Sequence, residues 1–153
     1  MKRLNLMAAG LTMQLTKSKT YLELIELKTF KERYDYLKLK GKVGEDTFGH
    51  ARWLNQVLYS SPEWKKLRDQ IIVRDDGCDL GIKDRPIRTK VYIHHINPIT
   101  KQQIVDRDPL VFDPNNLICV TFDTHNAIHY GDEKLLIPDK PNERRPGDTC
   151  PWK

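Results

Sequence analysis

The chain has 153 residues, of which 39% are apolar and 31% charged, with a formal net charge of +5 and three cysteines. That length fits one domain, or one domain with an arm and a tail, and the charge density calls for a well-solvated surface. No apolar run approaches the ~20 residues of a transmembrane helix, and no Cys-x-x-Cys pair exists; three cysteines exclude a four-cysteine zinc ribbon, and their odd number argues against a disulfide framework and for a reducing compartment. The positive charge is lopsided. Residues 1–60 hold 11 Lys/Arg against 6 Asp/Glu, whereas residues 101–153 hold 7 against 9. A polyanionic partner would therefore be attracted mainly by the N-terminal part and by the basic stretch from Lys83 to Lys90.

Taken in order, residues 1–19 lack clear periodicity. Their apolar start is short, broken by Asn5 and followed by polar residues, so no signal peptide is expected. Leu22, Ile25 and Leu27 suggest a short helix over Tyr21–Leu27. Thr29-x-x-Glu32 has the pattern of a capping box, in which each side chain satisfies the other residue's backbone N–H. Phe30, Arg33, Tyr34 and Leu37 follow at helical spacing, with Gly41 as a stop. Thr47 is a candidate cap for a third helix, with Ala51, Leu54 and Leu58 on one stripe and Trp53 and Val57 on another. Ser61-Pro62-Glu63 combines a capping hydroxyl, a proline at the first helical position and an acid in the first turn. The helix it opens buries Trp64, Leu67, Ile71 and Ile72 and ends at Asp75-Asp76-Gly77.

The pattern then changes. Cys78 to Leu80 is short and extended, and Lys83 to Lys90 is a basic, proline-containing loop. Val91-Tyr92-Ile93 is β-branched and aromatic, which predicts a strand ending at His94-His95. Asn97-Pro98 breaks it. Thr100 to Val105 has room for one or two helical turns, and Asp108-Pro109 and Asp113-Pro114 are turn signals. Leu117 to Phe122 predicts a second strand, and Asp123 or Thr124 caps a short helix carrying His125 and His129. Beyond Gly131 the chain is rich in Pro, Asp and Arg, and an extended tail is expected. The fold class is α+β, with no internal repeat.

Four of the five histidines lie between His94 and His129. Residues four apart share a helical face, so His125 and His129 can reach one ion. A lone pair at that spacing is more often solvated or structural. His94 and His95, adjacent on a strand, point to opposite faces. A strand–loop–strand–helix unit can thus bring His94, His125 and His129 to one cation and leave His95 apart. Three protein ligands with open positions form the pattern of a catalytic metal, and a free imidazole beside it is a candidate general base. His50 is read as structural. Asp106, Asp108, Asp113 and Asp123 are read as turn or cap residues.

The window His94-His95-Ile96-Asn97-Pro98 … Asn116-Leu117 … Thr124-His125-Asn126-Ala127-Ile128-His129-Tyr130 resembles the HNH motif of the ββα-metal endonucleases. It is most similar to the colicin-type DNase version, which also ends in His-x-x-x-His, and to small phage-encoded HNH proteins. The resemblance covers residues 94–129, and the Trp64–Gly77 helix and turn are typical of what precedes the motif. It implies a two-stranded antiparallel hairpin plus helix preceded by several helices, with a nuclease domain over 61–132, a basic helical arm over 1–60 and an extended tail over 133–153. It implies a cytoplasmic DNA endonuclease of low specificity (in the host cytoplasm if phage-encoded) that nicks or cuts with one divalent metal.

By the same resemblance His94, His125 and His129 are the ligands, His95 the general base, and Asn116 the brace that holds His95. Many members use Asp for the first ligand; three imidazoles make a softer set that favours Zn, Ni, Co or Mn over Mg. Arg68, Lys83, Arg85, Arg88 and Lys90 are the expected DNA contacts, and Arg74 is a further candidate for the scissile phosphate. The two Cys-x-x-Cys knuckles of many members are absent, so Trp64, Ile71, Ile93 and Leu117 are expected to hold the fold by packing. One alternative is a phage packaging accessory protein acting with a terminase. Another is a DNA-binding module in which the three histidines hold a metal for structure alone.

Overall fold

A computed structural model describes residues 18–39, 52–83 and 85–136; the expected stop at Gly41, the cap at Thr47, His50, Cys150 and the tail beyond 136 lie outside them. Helix α1 (Tyr21–Glu26) is capped by Thr20, whose Oγ1 accepts from Glu23 N, and α2 (Phe30–Leu37) carries the full Thr29/Glu32 capping box. Helix α3 (Arg52–Ser60) leads into α4 (Pro62–Arg74), where Ser61 Oγ accepts from Trp64 N. Left-handed residues at Asp76 (φ 54°) and Gly77 (φ 61°) turn the chain out of α4.

Two small antiparallel hairpins follow. The first pairs β1 (Cys78–Asp79) with β2 (Arg85–Pro86), so a strand lies inside the stretch expected to be a loop. The second pairs β3 (Tyr92–His95) with β4 (Leu117–Val120), in the register Tyr92↔Val120, Ile93↔Cys119, His94↔Ile118, His95↔Leu117. Between them lie α5 (Lys101–Val105), with a Thr100/Gln103 capping box, and two short 3-10 turns, Pro109–Val111 and Pro114–Asn116, capped by Asp108 and Asp113. Helix α6 (Phe122–Tyr130) comes straight after β4 and ends at left-handed Gly131.

Three expectations need correction here. The second strand stops at Val120, not Phe122. The cap of α6 is Thr121, whose Oγ1 accepts from Thr124 N, rather than Asp123 or Thr124. A further 3-10 turn, Glu133–Leu136, occupies the start of the expected extended tail.

The β3–β4 hairpin is buried on both sides, which explains why β4 is apolar at every position instead of alternating. On one face Leu117 and Cys119 join Leu54, Leu58, Trp64, Leu67 and Ile71 of α3 and α4, with Ile93 packed against them. On the other, Ile118 and Val120 join Leu24, Leu37, Ile96 and Ile128, so α1 and α2 share a core with the hairpin and α6. Ile118→Ala should therefore lower stability by about 2–5 kcal/mol. Urea denaturation would register this as a lower midpoint at unchanged m-value; an unchanged midpoint would show that this face is not packed.

The outer edge of β4 would otherwise expose its backbone to pairing with another chain. The segment after α4 covers it instead. Cys119 N donates to Asp75 Oδ2 at 2.8 Å, Leu80 N to Cys119 O at 2.9 Å and Thr121 N to Asp79 Oδ2 at 3.0 Å. Among the described residues no helix is long and apolar enough to cross a membrane.

Candidate metal centre

Alternation along β3 aims His94 at the face that α6 covers. Helical periodicity stacks His125 above His129 on α6. The three rings meet: centroids lie 5.6 Å apart for His94–His125, 5.0 Å for His94–His129 and 4.3 Å for His125–His129. One ligand-capable atom from each residue lies within 4.8 Å of the other two, close enough to bind one metal ion. His94 Nε2 and His125 Nδ1 are buried and have no hydrogen-bond partner. A buried polar atom left unpaired costs about 1–3 kcal/mol, a cost that coordination would remove. The three imidazoles, two of them with an orphaned buried nitrogen, thus fit a metal ion.

The cluster is held in the neutral form that a metal requires. Burial, and then the neighbouring imidazoles of His129 and His125, push His94 well below the usual 6.5. Burial also lowers His125, and burial followed by the charge of His125 takes His129 to about 4. These shifts make the metal-free protein acid-labile. The unfolded chain takes up protons near pH 6.5 and the folded cluster only further down, so stability is full above 6.5 and falls as pH drops from there toward 4. The melting temperature of metal-free protein should be lower at pH 5 than at pH 7.5, and lower by a smaller margin in a variant with His94, His125 and His129 replaced by Gln. Equal pH sensitivity in both would contradict this assignment.

His95 lies on the opposite face of β3. It is buried, stacks on Trp64 with ring centroids 5.5 Å apart, and places Nε2 3.0 Å from Val111 O. A carbonyl can only accept, so Nε2 carries the hydrogen and Nδ1 keeps the lone pair. Burial takes this imidazole to about 4, opposed by the Val111 hydrogen bond. Asn116, 2% exposed, ties the loop together: its Oδ1 accepts from Asn97 N and Asn97 Nδ2, both at 2.8 Å, and its Nδ2 donates to Leu110 O at 3.2 Å. Leu110 immediately precedes the carbonyl that holds His95.

The basic candidates divide. Lys90 Nζ sits 5.4 Å from the Tyr92 ring centroid, and that ring is 5.7 Å from His125, which links Lys90 to the cluster. Arg68 is on α4 beside Asp69, Lys83 and Arg88 are exposed, and Arg85 is half-buried in β2. The described contacts show no comparable link from these four to the histidines. Arg74 is not placed to grip a phosphate. It donates to Asp75 Oδ1, Pro114 O and Leu117 O and stacks on Tyr21, so its fork is consumed in joining α4 to β4. Asp106 accepts from Gln102, while Asp108 and Asp113 cap turns.

Sequence reasoning misses Asn97, which reads only as a strand breaker, and Lys19, which reads as part of a loose start. Asn97 Nδ2 donates to Lys19 O at 2.7 Å and Lys19 N donates back to Asn97 Oδ1 at 2.9 Å. The charge of Lys19 also helps to disfavour protonation of His94. The only advance signal is the polar side chain of Asn97 directly after the buried His94-His95-Ile96. No family model, curated protein or solved structure matches the chain.

Proposed function

We propose that this chain is a metal-dependent endonuclease of the HNH type, hydrolysing DNA phosphodiester bonds on a ββα-metal core made of β3, β4 and α6. One observation carries the reading. Three imidazoles converge on a point, and a fourth, on the residue next to one of them, is locked by Val111 O in the tautomer whose free nitrogen is a base. Three imidazoles suffice for a metal that only holds structure; the fourth ring packs on Trp64 and also keeps a basic nitrogen free beside the site.

His94, His125 and His129 would hold the ion. When bound there, a divalent cation supplies Lewis-acid stabilisation of the charge that develops on the phosphate and the leaving 3′-oxygen. His95 Nδ1 would take the proton of the attacking water, so the O–H bond breaks as the new P–O bond forms and the P–O3′ bond opens, and the leaving 3′-oxygen would take up a proton from solvent to end as a hydroxyl. The Val111 carbonyl then stabilises the imidazolium that results, and Trp64 fixes the plane of the ring. Asn116 keeps the 110–111 backbone in place beneath it. Lys90, over the Tyr92 ring that neighbours His125, and Lys19, whose charge reaches His94, would draw in a phosphate.

The test is incubation of metal-stripped protein with supercoiled plasmid in Mg, Mn, Co, Ni or Zn. Nicked or linear product is expected with at least one of the softer ions and none in chelator. Intact plasmid in all five, from folded and metal-loaded protein, would sink the nuclease reading in favour of a purely structural metal.

A further inference from the structure

The metal centre has a support that neither the motif nor the core explains. Asp79 is fully buried, in β1, and forms no salt bridge among the described residues. A buried carboxylate is costly unless hydrogen bonds compensate it. Asp79 has four. Oδ1 accepts from Gly81 N at 2.9 Å; Oδ2 accepts from Thr121 N at 3.0 Å, Thr121 Oγ1 at 2.8 Å and Thr124 Oγ1 at 2.5 Å. Three of the four donors belong to the N-cap Thr121 and to Thr124 in the first turn of α6, where the helix dipole also favours an anion.

The placement matters because His125 is the next residue and His129 lies one turn further on. The buried stripe of α6 is Thr124, Ala127 and Ile128. Its two apolar members settle against the core, and its polar member is fixed by Asp79. A helix turns about 100° per residue, so a modest rotation at Thr124 would carry both histidines away from His94. Close approach of the two segments depends on Gly81: a Cβ there would lie 2.5 Å from Thr124 Cγ2 and 3.1 Å from Asp79 Oδ1.

We propose that Asp79 is a positioning residue of the metal centre, clasping the start of α6 through Thr121 and Thr124 so that His125 and His129 face His94. The inference rests on those three histidines being the metal site, and Co(II) serves as the probe because its visible d–d absorption reports ligand geometry independently of nuclease activity. Outer-shell partners of metal ligands typically contribute 10–100-fold in affinity. Asp79→Asn, and Thr124→Val, which keeps the volume but removes one donor, should each bind Co(II) about 10–100-fold more weakly with a shifted absorption band. Far-UV circular dichroism should be unchanged, and Thr124→Ser, which restores the hydroxyl, should bind like wild type. If Asp79→Asn does not fold, Thr124→Val carries the test. Wild-type affinity and spectrum in a folded Asp79→Asn or Thr124→Val protein would overturn the clasp alone. Failure of wild type to bind Co(II) would overturn the metal site, and the clasp with it.

Discussion

His95→Gln should leave supercoiled plasmid essentially intact under conditions in which wild type nicks it, a loss of about 10²–10⁴-fold in rate, the usual contribution of a positioned acid–base group. Glutamine is the informative replacement. Its amide can still donate to Val111 O in place of Nε2 and can partly fill the space beside Trp64, but it offers no basic nitrogen. Alanine would remove the ring and leave a cavity in the cluster of Trp64, Leu67 and Leu117, confounding catalysis with stability. Metal affinity should barely change, because His95 lies on the far side of β3 from His94, His125 and His129. Nicking by His95→Gln at the wild-type rate would remove His95 from the mechanism. Loss of Co(II) binding in that variant would instead make it part of the metal site.

His125→Ala and His129→Ala should separate the metal's contribution from the fold's. Any ligand that binds only the folded state adds RT ln(1 + [L]/Kd), about 2.7 kcal/mol at a hundredfold excess over Kd. Wild type should therefore melt several degrees higher with saturating Zn or Ni than with chelator. Each alanine variant should lose most of that increment. Without metal the variants should lose less than with it: both rings are only half-buried, and what each alanine gives up there is ring contact within the cluster rather than a coordinated ion. The expected pattern is a smaller effect in chelator and a large one with metal. Equal melting temperatures with and without metal in wild type would contradict it.

Local rules make much of the chain legible. Thr29 and Glu32, and Ser61 with Pro62, announce their helices because caps act within three or four residues. The same holds for the cluster: a period of two separates His94 from His95, and a spacing of four joins His125 to His129. What could not be read is what depends on partners far along the chain. Thr121, Asp123 and Thr124 are all good caps, and the choice falls to Thr121 because Asp79, 42 residues earlier, takes its N–H and hydroxyl. Arg74 looks like any surface arginine until β4 and the Pro114 turn place two carbonyls within its reach. The β1–β2 hairpin is too short for a pattern, and it forms where the outer edge of β4 needs cover. Of the expected core, Trp64, Ile71 and Leu117 are buried and Ile93 is half-buried, all on one face of the hairpin. The expectation lacks the second face, because the side chains of α1 and α2 give no sign that they will meet Ile118 and Val120.

The same contrast applies to stability without cysteine knuckles. Packing alone was expected to hold the motif. In the structure, carboxylates contribute alongside the apolar core. Asp75 and Asp79 each receive a backbone N–H along the edge of β4, and Asp79 reaches on into α6. These contacts link the turn after α4 to the strand and helix that build the centre.

The central claim is that one ion at His94, His125 and His129 and one base at His95 act together on a phosphodiester. The most direct measurement titrates Co(II) into metal-stripped wild-type protein and follows visible absorption and plasmid nicking in the same samples. Both signals should rise together and level off at one equivalent, and in His95→Gln the absorption should rise alone. Nicking without metal, or full absorption at one equivalent with the wild-type plasmid still intact, would contradict the account.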